Sequence, residues 1–195
     1  MDAAARLFVD RSFAGTSTRE IAEAVGIRQA SLYYHFANKD EILGELLEMT
    51  IRPALDSLDD LDPIESPESR LYRLALVDAR ALAGLMHNIG LLPRLPDIAH
   101  TPEAKAYGAA RRDLLQTYST LAISCASEAV VATVDRSQLG GIVMELVESV
   151  IGTRAESNVV SERELQNVAA ACLRVCGVSN EAIEAARTAA RELAA

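Results

Sequence analysis

Apolar residues along this chain recur at intervals of three and four, the spacing that puts them on one face of a helix. Ile21, Val25, Leu32 and Phe36 mark such a face early in the chain. Leu139, Ile142, Val143, Leu146, Val147 and Val150 draw a longer stripe, and Val168, Ala171, Cys172 and Val175 another. The breaks between stripes carry helix-start chemistry. Ser17-Thr18-Arg19-Glu20, Asn38-Lys39-Asp40-Glu41 and Ser161-Glu162-Arg163-Glu164 each set a capping residue three positions ahead of a glutamate. Ser66-Pro67-Glu68 and Thr101-Pro102-Glu103 combine a capping hydroxyl, a proline whose missing N–H is harmless in the first turn, and an acid near the positive end of the helix dipole. The pattern predicts helices over 2–12, 18–25, 29–36, 39–58, 67–87, 102–130, 136–153, 162–176 and 180–194, with a short one near 91–97. Pro53 is expected to kink or end the fourth helix, and residues 59–67 to form a connector.

Composition agrees with an all-α fold. Half of the 195 residues are apolar, while aromatics are few, with three Phe, five Tyr and no Trp, so summed propensity favours helix over strand. The length suits one compact body plus a small module. Acids outnumber bases 28 to 19, for a net charge of −9, which opposes indiscriminate attraction to a polyanion and requires any nucleic-acid contact to be local. No apolar run is long enough to span a bilayer, and Met1-Asp2-Ala3 does not open a signal peptide. A cytoplasmic protein is expected, with no membrane partner. Cys125, Cys172 and Cys176 are odd in number and lie in apolar helical stretches, so reduced thiols are expected. Cys172 and Cys176 sit one turn apart, but no His or acid at ligand spacing completes a metal site, and they read as small apolar residues. Neither metal nor cofactor is expected.

Two short helices joined by Gly26-Ile27-Arg28 have the layout of a helix-turn-helix. Ala22 is small where helices must cross closely, Gly26 can take the left-handed conformation, and Ile21, Val25, Ile27, Leu32 and Phe36 are expected to be buried. With Leu32 and Phe36 turned inward, the second helix shows Arg28, Gln29, Ala30, Ser31, Tyr33, Tyr34 and His35. Arg28 has the fork that reads guanine, Gln29 the amide that reads adenine, and Ala30 a methyl for thymine, while Tyr33, Tyr34 and His35 can reach phosphates. Thr18, Arg19 and Lys39 stand at helix starts, where a phosphate oxygen is well received. Two amphipathic helices with a Gly turn also occur where helices merely pack. An exposed Tyr33–Tyr34 pair beside Arg28 and Gln29 favours a working surface.

The stretches Ala4-Ala5-Arg6-Leu7-Phe8, Phe13-Ala14-Gly15-Thr16-Ser17, Ile21-Ala22-Glu23-Ala24-Val25-Gly26-Ile27, Ser31-Leu32-Tyr33-Tyr34-His35-Phe36 and Asn38-Lys39-Asp40-Glu41 resemble the TetR family signature. The resemblance covers about the first 50 residues. It implies a three-helix DNA-binding domain over residues 1–45, and a helical body over 46–195 that dimerises and binds a small-molecule effector. It implies phosphate contacts for Thr18, Tyr33, His35 and Lys39, groove-reading roles for Arg28, Gln29, Ala30 and Tyr34, and either role for Arg19. Ser12 stands where the family usually has Gly after the first helix, so a left-handed cap there costs about 1 kcal/mol unless Gly15 absorbs the turn. No basic extension precedes the first helix in this sequence, for which a lower operator affinity or a truncated chain is the corresponding expectation.

Beyond residue 55 the pattern alone speaks. The Leu139–Val150 and Val168–Val175 stripes, with Gly140 and Gly141 permitting close approach, suit either a four-helix interface between two copies or the core of one. The resemblance favours the homodimer. Between Leu82 and Tyr118 an apolar stretch with few polar groups has the make-up of a small-molecule site, and Leu85, Met86, Ile89, Leu92, Tyr107, Arg111, Leu114 and Tyr118 are the candidate lining residues. The function that follows is a ligand-responsive transcriptional regulator, most simply a repressor, on double-stranded palindromic operator DNA. The alternatives are a helical enzyme using His87, His100 and nearby acids, a small-molecule-binding protein without specific DNA binding, and an architectural DNA protein. The first finds no nucleophile–base pair, metal spacing or cofactor fingerprint, and the acidic balance opposes the last.

Overall fold

A computed structural model of the chain describes residues 1–157 and 159–192, and among these it contains no strand. The helices are α1 (Asp2–Arg11), α2 (Thr18–Ala24), α3 (Gln29–His35), α4 (Lys39–Asp59), α5 (Pro67–Gly84), α6 (Pro102–Cys125), α7 (Glu128–Val131), α8 (Arg136–Ser157), α9 (Glu162–Val175) and α10 (Asn180–Glu192). A 3-10 segment, Met86–Arg94, lies between α5 and α6. The helix predicted over 102–130 divides instead into α6 and α7. Ser127 accepts a hydrogen bond from the Val130 N–H to open α7, and its own N–H donates to the Cys176 carbonyl, so the chain leaves the α6 axis there. Pro53 does not end α4, which continues to Asp59 and buries Ala54 one residue on. The helix expected near 91–97 begins earlier, after a turn at His87 and Asn88 with φ of 46° and 54°. The last two positions of the helix predicted over 180–194 lie outside the described residues.

The chain forms two compact units. One comprises Met1–Arg52 and Gly84–Ala110, the other Pro53–Ala83 and Arg111–Ala195. Packing therefore does not follow the linear division at residue 45, because the 3-10 segment and the start of α6 group with the first three helices.

In the first unit α1 buries Ala4, Ala5, Leu7 and Phe8, and α4 buries Ile42, Leu43, Leu46 and Leu47. Phe8 meets Phe13 edge to face at 5.1 Å, an arrangement worth about 0.5–1.5 kcal/mol beyond its area. The 3-10 segment packs on α1. Its His87 Nε2 lies 2.9 Å from Asp2 Oδ1, and further along Asp97 Oδ2 accepts from the Ala14 N–H at 2.7 Å. Between α1 and α2 the chain turns at Ser12, whose φ of 70° and ψ of 161° lie in territory almost confined to glycine. Gly15 does not absorb the turn. Its role is close approach, because a Cβ there would collide with the Arg11 carbonyl oxygen. Ser12 offsets part of its strain by accepting the Gly15 N–H on Oγ at 3.1 Å and the Thr16 hydroxyl on its carbonyl at 2.9 Å.

In the second unit α8 packs against α9, and α9 against α10. Leu139, Val143, Val147 and Val150 are buried within the chain, whereas Ile142 is 42% exposed and Leu146, Val168, Ala171 and Val175 are half-buried. The stripes thus serve the core on one side and leave an apolar margin on the other. Gly140, rather than Gly141, makes the close approach, backing onto Ser119 of α6. All three cysteines are buried and free. Burial pushes the Cys172 thiol up to about 12 and that of Cys176 to about 11, which makes them unreactive core groups.

A buried polar set sits at the centre of this unit. Asp78, on α5, accepts the Tyr118 hydroxyl at 2.9 Å, and both residues are buried. Burial raises the Asp78 carboxyl to about 7, and the negative charge of Glu148 adds to the rise, while the Tyr118 hydrogen bond and Arg111 oppose it. Arg111 donates from Nε and Nη2 to Glu148 Oε1 at 3.0 and 2.7 Å.

Two predictions follow from these units. Gly26→Ala, at a φ of +72° with open space around it, is expected to cost about 1–2 kcal/mol. Gly15→Ala should cost clearly more because it collides with backbone, and circular-dichroism melts in which the two variants match, or in which Gly15→Ala is the milder, contradict that ranking. The Asp78 carboxyl titrates near 7 in the fold against an ordinary 3.8. Between those values the folded chain holds the extra proton, so stability falls as pH rises. Asp78→Asn keeps an acceptor for Tyr118 and removes the ionisation. Its Tm should exceed that of the unsubstituted chain at pH 8, by a margin that narrows towards pH 5; a margin independent of pH refutes the assignment.

Candidate nucleic-acid interface

Helix α2 opens with a complete capping box. Ser17 Oγ accepts the Glu20 N–H at 3.2 Å, and the Ser17 N–H donates to Glu20 Oε2 at 2.8 Å. The Ser17 N–H, the Ser17 hydroxyl donating to the same oxygen at 2.8 Å, and Arg11 alongside hold the Glu20 carboxyl below its ordinary range. The helix closes in a Schellman motif, with the Gly26 N–H bonded to the Glu23 carbonyl at 3.2 Å and the Ile27 N–H to the Ala22 carbonyl at 3.0 Å. Gly26 takes a φ of 72°, as that motif requires. Both ends of α2 are therefore fixed by local chemistry, and the chain is delivered into α3 at a set angle.

Ile21, Ala22 and Leu32 are buried between α2 and α3, but Val25 and Ile27 are not. They are 48% and 40% exposed, because they occupy the cap and the far side of the turn, where two seven-residue helices offer nothing to cover them. Phe36 is half-buried.

The face of α3 is open as expected. Arg28, Gln29, Ala30, Ser31, Tyr33, Tyr34 and His35 are all exposed, Tyr34 at 86%. Three of the candidate side chains are linked. Gln29 Nε2 donates to Thr18 Oγ1 at 2.9 Å and to the Tyr33 hydroxyl at 3.5 Å, and Thr18 Oγ1 and Tyr33 Oη are 3.1 Å apart. Tyr34 and His35 meet ring to ring at 5.3 Å, nearly perpendicular. A polar surface with several side chains already oriented loses less rotamer entropy on meeting a partner.

Arg19 and Lys39 are differently placed. Arg19 Nε donates to Glu23 Oε1 at 2.8 Å on the solvent side of α2. Lys39 Nζ donates to the carbonyls of Phe13 and Thr16 at 2.7 and 2.9 Å and lies 4.1 Å above the Phe13 ring. Its ammonium holds the fold first, with one N–H left over.

The candidate effector residues fall into both units. Leu85, Ile89 and Leu92 are buried and Met86 half-buried in the first. Tyr107 lines a groove of about 370 Å³ there, together with Leu47, Glu48, Ile51, Glu103 and Ala106. In the second unit Leu114 and Tyr118 are buried, and Arg111 pairs with Glu148. No motif marks Asp78 and Glu148. Each is an acid inside an apolar helical stripe, which was the available signal.

The first 46 residues match the model of the bacterial regulatory proteins of the tetR family. The repressor KstR2 of Mycobacterium tuberculosis is 37% identical over 87 residues, and that match spans 42% of this chain and 42% of KstR2. The crystal structure of AmtR from Mycobacterium smegmatis superposes with a TM-score of 0.82 at 34% identity, covering 95% of this chain and 88% of AmtR. The structure of AibR with isovaleryl coenzyme A and operator DNA shares the fold, with a TM-score of 0.66 at 19% identity, covering 85% of this chain and 91% of AibR. A helix pair with an open polar face, a family match over that same pair and a likeness to AmtR along nearly the whole length lead to one conclusion: the chain belongs to the TetR family of bacterial regulatory proteins.

Proposed function

We propose that the chain is a ligand-responsive transcriptional repressor that binds a palindromic operator as a homodimer. The observation that carries this reading is the exposed face of α3, with Tyr33 bonded to Thr18 and Gln29 donating to both. In this reading Thr18, Ser31, Tyr33 and His35 meet backbone phosphates, with Arg19 and the remaining N–H of Lys39 in support. Arg28, Ala30 and Tyr34 face the base edges. Gln29 has its amide nitrogen engaged with Thr18, so it braces the phosphate-contacting pair and reads adenine only where DNA displaces that bond. Two copies set their α3 helices about 34–36 Å apart, one turn of DNA. The α8 and α9 margin of Ile142, Leu146, Val168 and Val175 supplies the contact between copies.

The effector is proposed to be a small molecule recognised within the first unit, where Tyr107 is the candidate residue that lines the α4–α6 groove. AibR, of the same fold, is captured with an acyl coenzyme A and operator DNA together, which supports this pairing of partners. An occupant of that groove bears on α4, whose first residue, Lys39, holds the loop before α2. A difference of about 1–3 kcal/mol in its affinity for two conformations is enough to change operator occupancy several-fold or more.

Replacing Gln29 and Tyr34 together by Ala is expected to weaken binding to an operator selected from random duplexes by about tenfold or more, with the assembly state unchanged. Equal affinity in fluorescence anisotropy at fixed salt refutes the assignment of the recognition face. Ile142→Glu is expected to yield a folded monomer by light scattering with much weakened operator binding, and a dimer that persists at micromolar concentration moves the interface elsewhere.

A further inference from the structure

The second unit holds a small cavity that the regulatory reading does not use. It measures about 110 Å³ and is lined by Tyr72, Leu76 and Arg80 of α5, Gln166 of α9, and Arg187 and Arg191 of α10. Three arginines around one small space is an unusual arrangement in a chain of net charge −9.

Two of the lining donors have no acceptor. Tyr72 is fully buried and its hydroxyl makes no hydrogen bond, and Arg187 Nε is buried and likewise without a partner. A buried donor left unmade is costly to a fold, and such groups ordinarily mark the place of a missing acceptor. The other guanidinium contacts are known. Arg80 donates from Nε and Nη2 to Glu162 at 3.1 and 2.5 Å, Arg187 Nη1 to Glu184 at 2.9 Å, and Arg191 Nη2 to Gln166 Oε1 at 3.5 Å, while Gln166 Nε2 donates to Glu162 at 3.1 Å. Three positive charges thus face two carboxylates, leaving a net positive site with an unmet phenol O–H and an unmet guanidinium N–H buried in its wall.

We propose that this cavity is a binding site for phosphate, free or as a monoester. A planar carboxylate is satisfied by a single guanidinium fork, whereas a tetrahedral dianion has the charge and the number of oxygens to meet several arginines and a hydroxyl at once. The donors come from α5 and α10, so a bound phosphate ties those two helices together and stabilises the second unit. This site is independent of operator binding.

The test is a phosphate titration of the full chain without DNA, at pH 8 and constant ionic strength set with chloride, read by the shift in Tm and by calorimetry. Inorganic phosphate should raise Tm in a saturable way, and acetate should not. Glycerol 3-phosphate distinguishes the source: binding equal to that of inorganic phosphate indicates a site open to monoesters, and weaker binding one that takes the free ion. Arg187→Gln should weaken phosphate binding by about tenfold or more. Tyr72→Phe, which removes an orphaned hydroxyl, should match or exceed the Tm of the unsubstituted chain without phosphate yet bind phosphate several-fold more weakly. The proposal is overturned if phosphate leaves Tm unchanged, if acetate binds as well, or if both variants bind phosphate normally, which would put the anion elsewhere on the chain.

Discussion

The ammonium of Lys39 is the contact on which the first unit depends. It lies over the Phe13 ring and bonds two carbonyls of the loop that joins α1 to α2. Phe13 in turn meets Phe8 of α1 edge to face. A half-buried cation is costly unless most of its donors are met, and here two main-chain oxygens and an aromatic face hold it without a carboxylate, one N–H remaining open. One side chain at the start of α4 thereby fixes the loop that delivers Ser17, the cap of α2. The orientation of α3 follows through the Schellman turn at Gly26.

Electrostatics in this chain are local. The first 52 residues carry a net charge of −2, so no basic field draws DNA to them, and the α3 face has to work through short-range hydrogen bonds and shape. The second unit shows the same economy inside. Arg111 answers Glu148, and Asp78 next to them is left to neutralise by taking up a proton, with Tyr118 as its hydrogen-bond donor. Buried groups arranged this way define which helix faces meet, because any other register of α5, α6 and α8 would leave one of them unmatched.

What was legible in the sequence is what local chemistry decides. Capping boxes at Ser17 and Ser161 and the glycine at position 26 put helix ends where they are found, since each acts over three or four residues. The exposed face of α3 followed from the inward spacing of Leu32 and Phe36. What local chemistry does not decide is not legible there. Apolar character predicts Val25 and Ile27 inside, yet two short helices have no third layer to cover them. The resemblance implies a phosphate contact for Lys39, but the two carbonyls it bonds lie 23 and 26 residues away, beyond any pattern in its own helix. Asp78 and Glu148 likewise acquire their partners from helices distant in sequence.

The unit that presents α3 is not one continuous run of chain. Residues 84–110 return to it after the excursion through α5, bringing the 3-10 segment onto α1 and an acceptor, Asp97, to the Ala14 amide. Shuffling of such modules between regulators is therefore constrained. A head transplanted by cutting after α4 would leave behind the strip of chain that covers its first helix, so recombination that respects this architecture must carry two separate pieces of the gene together.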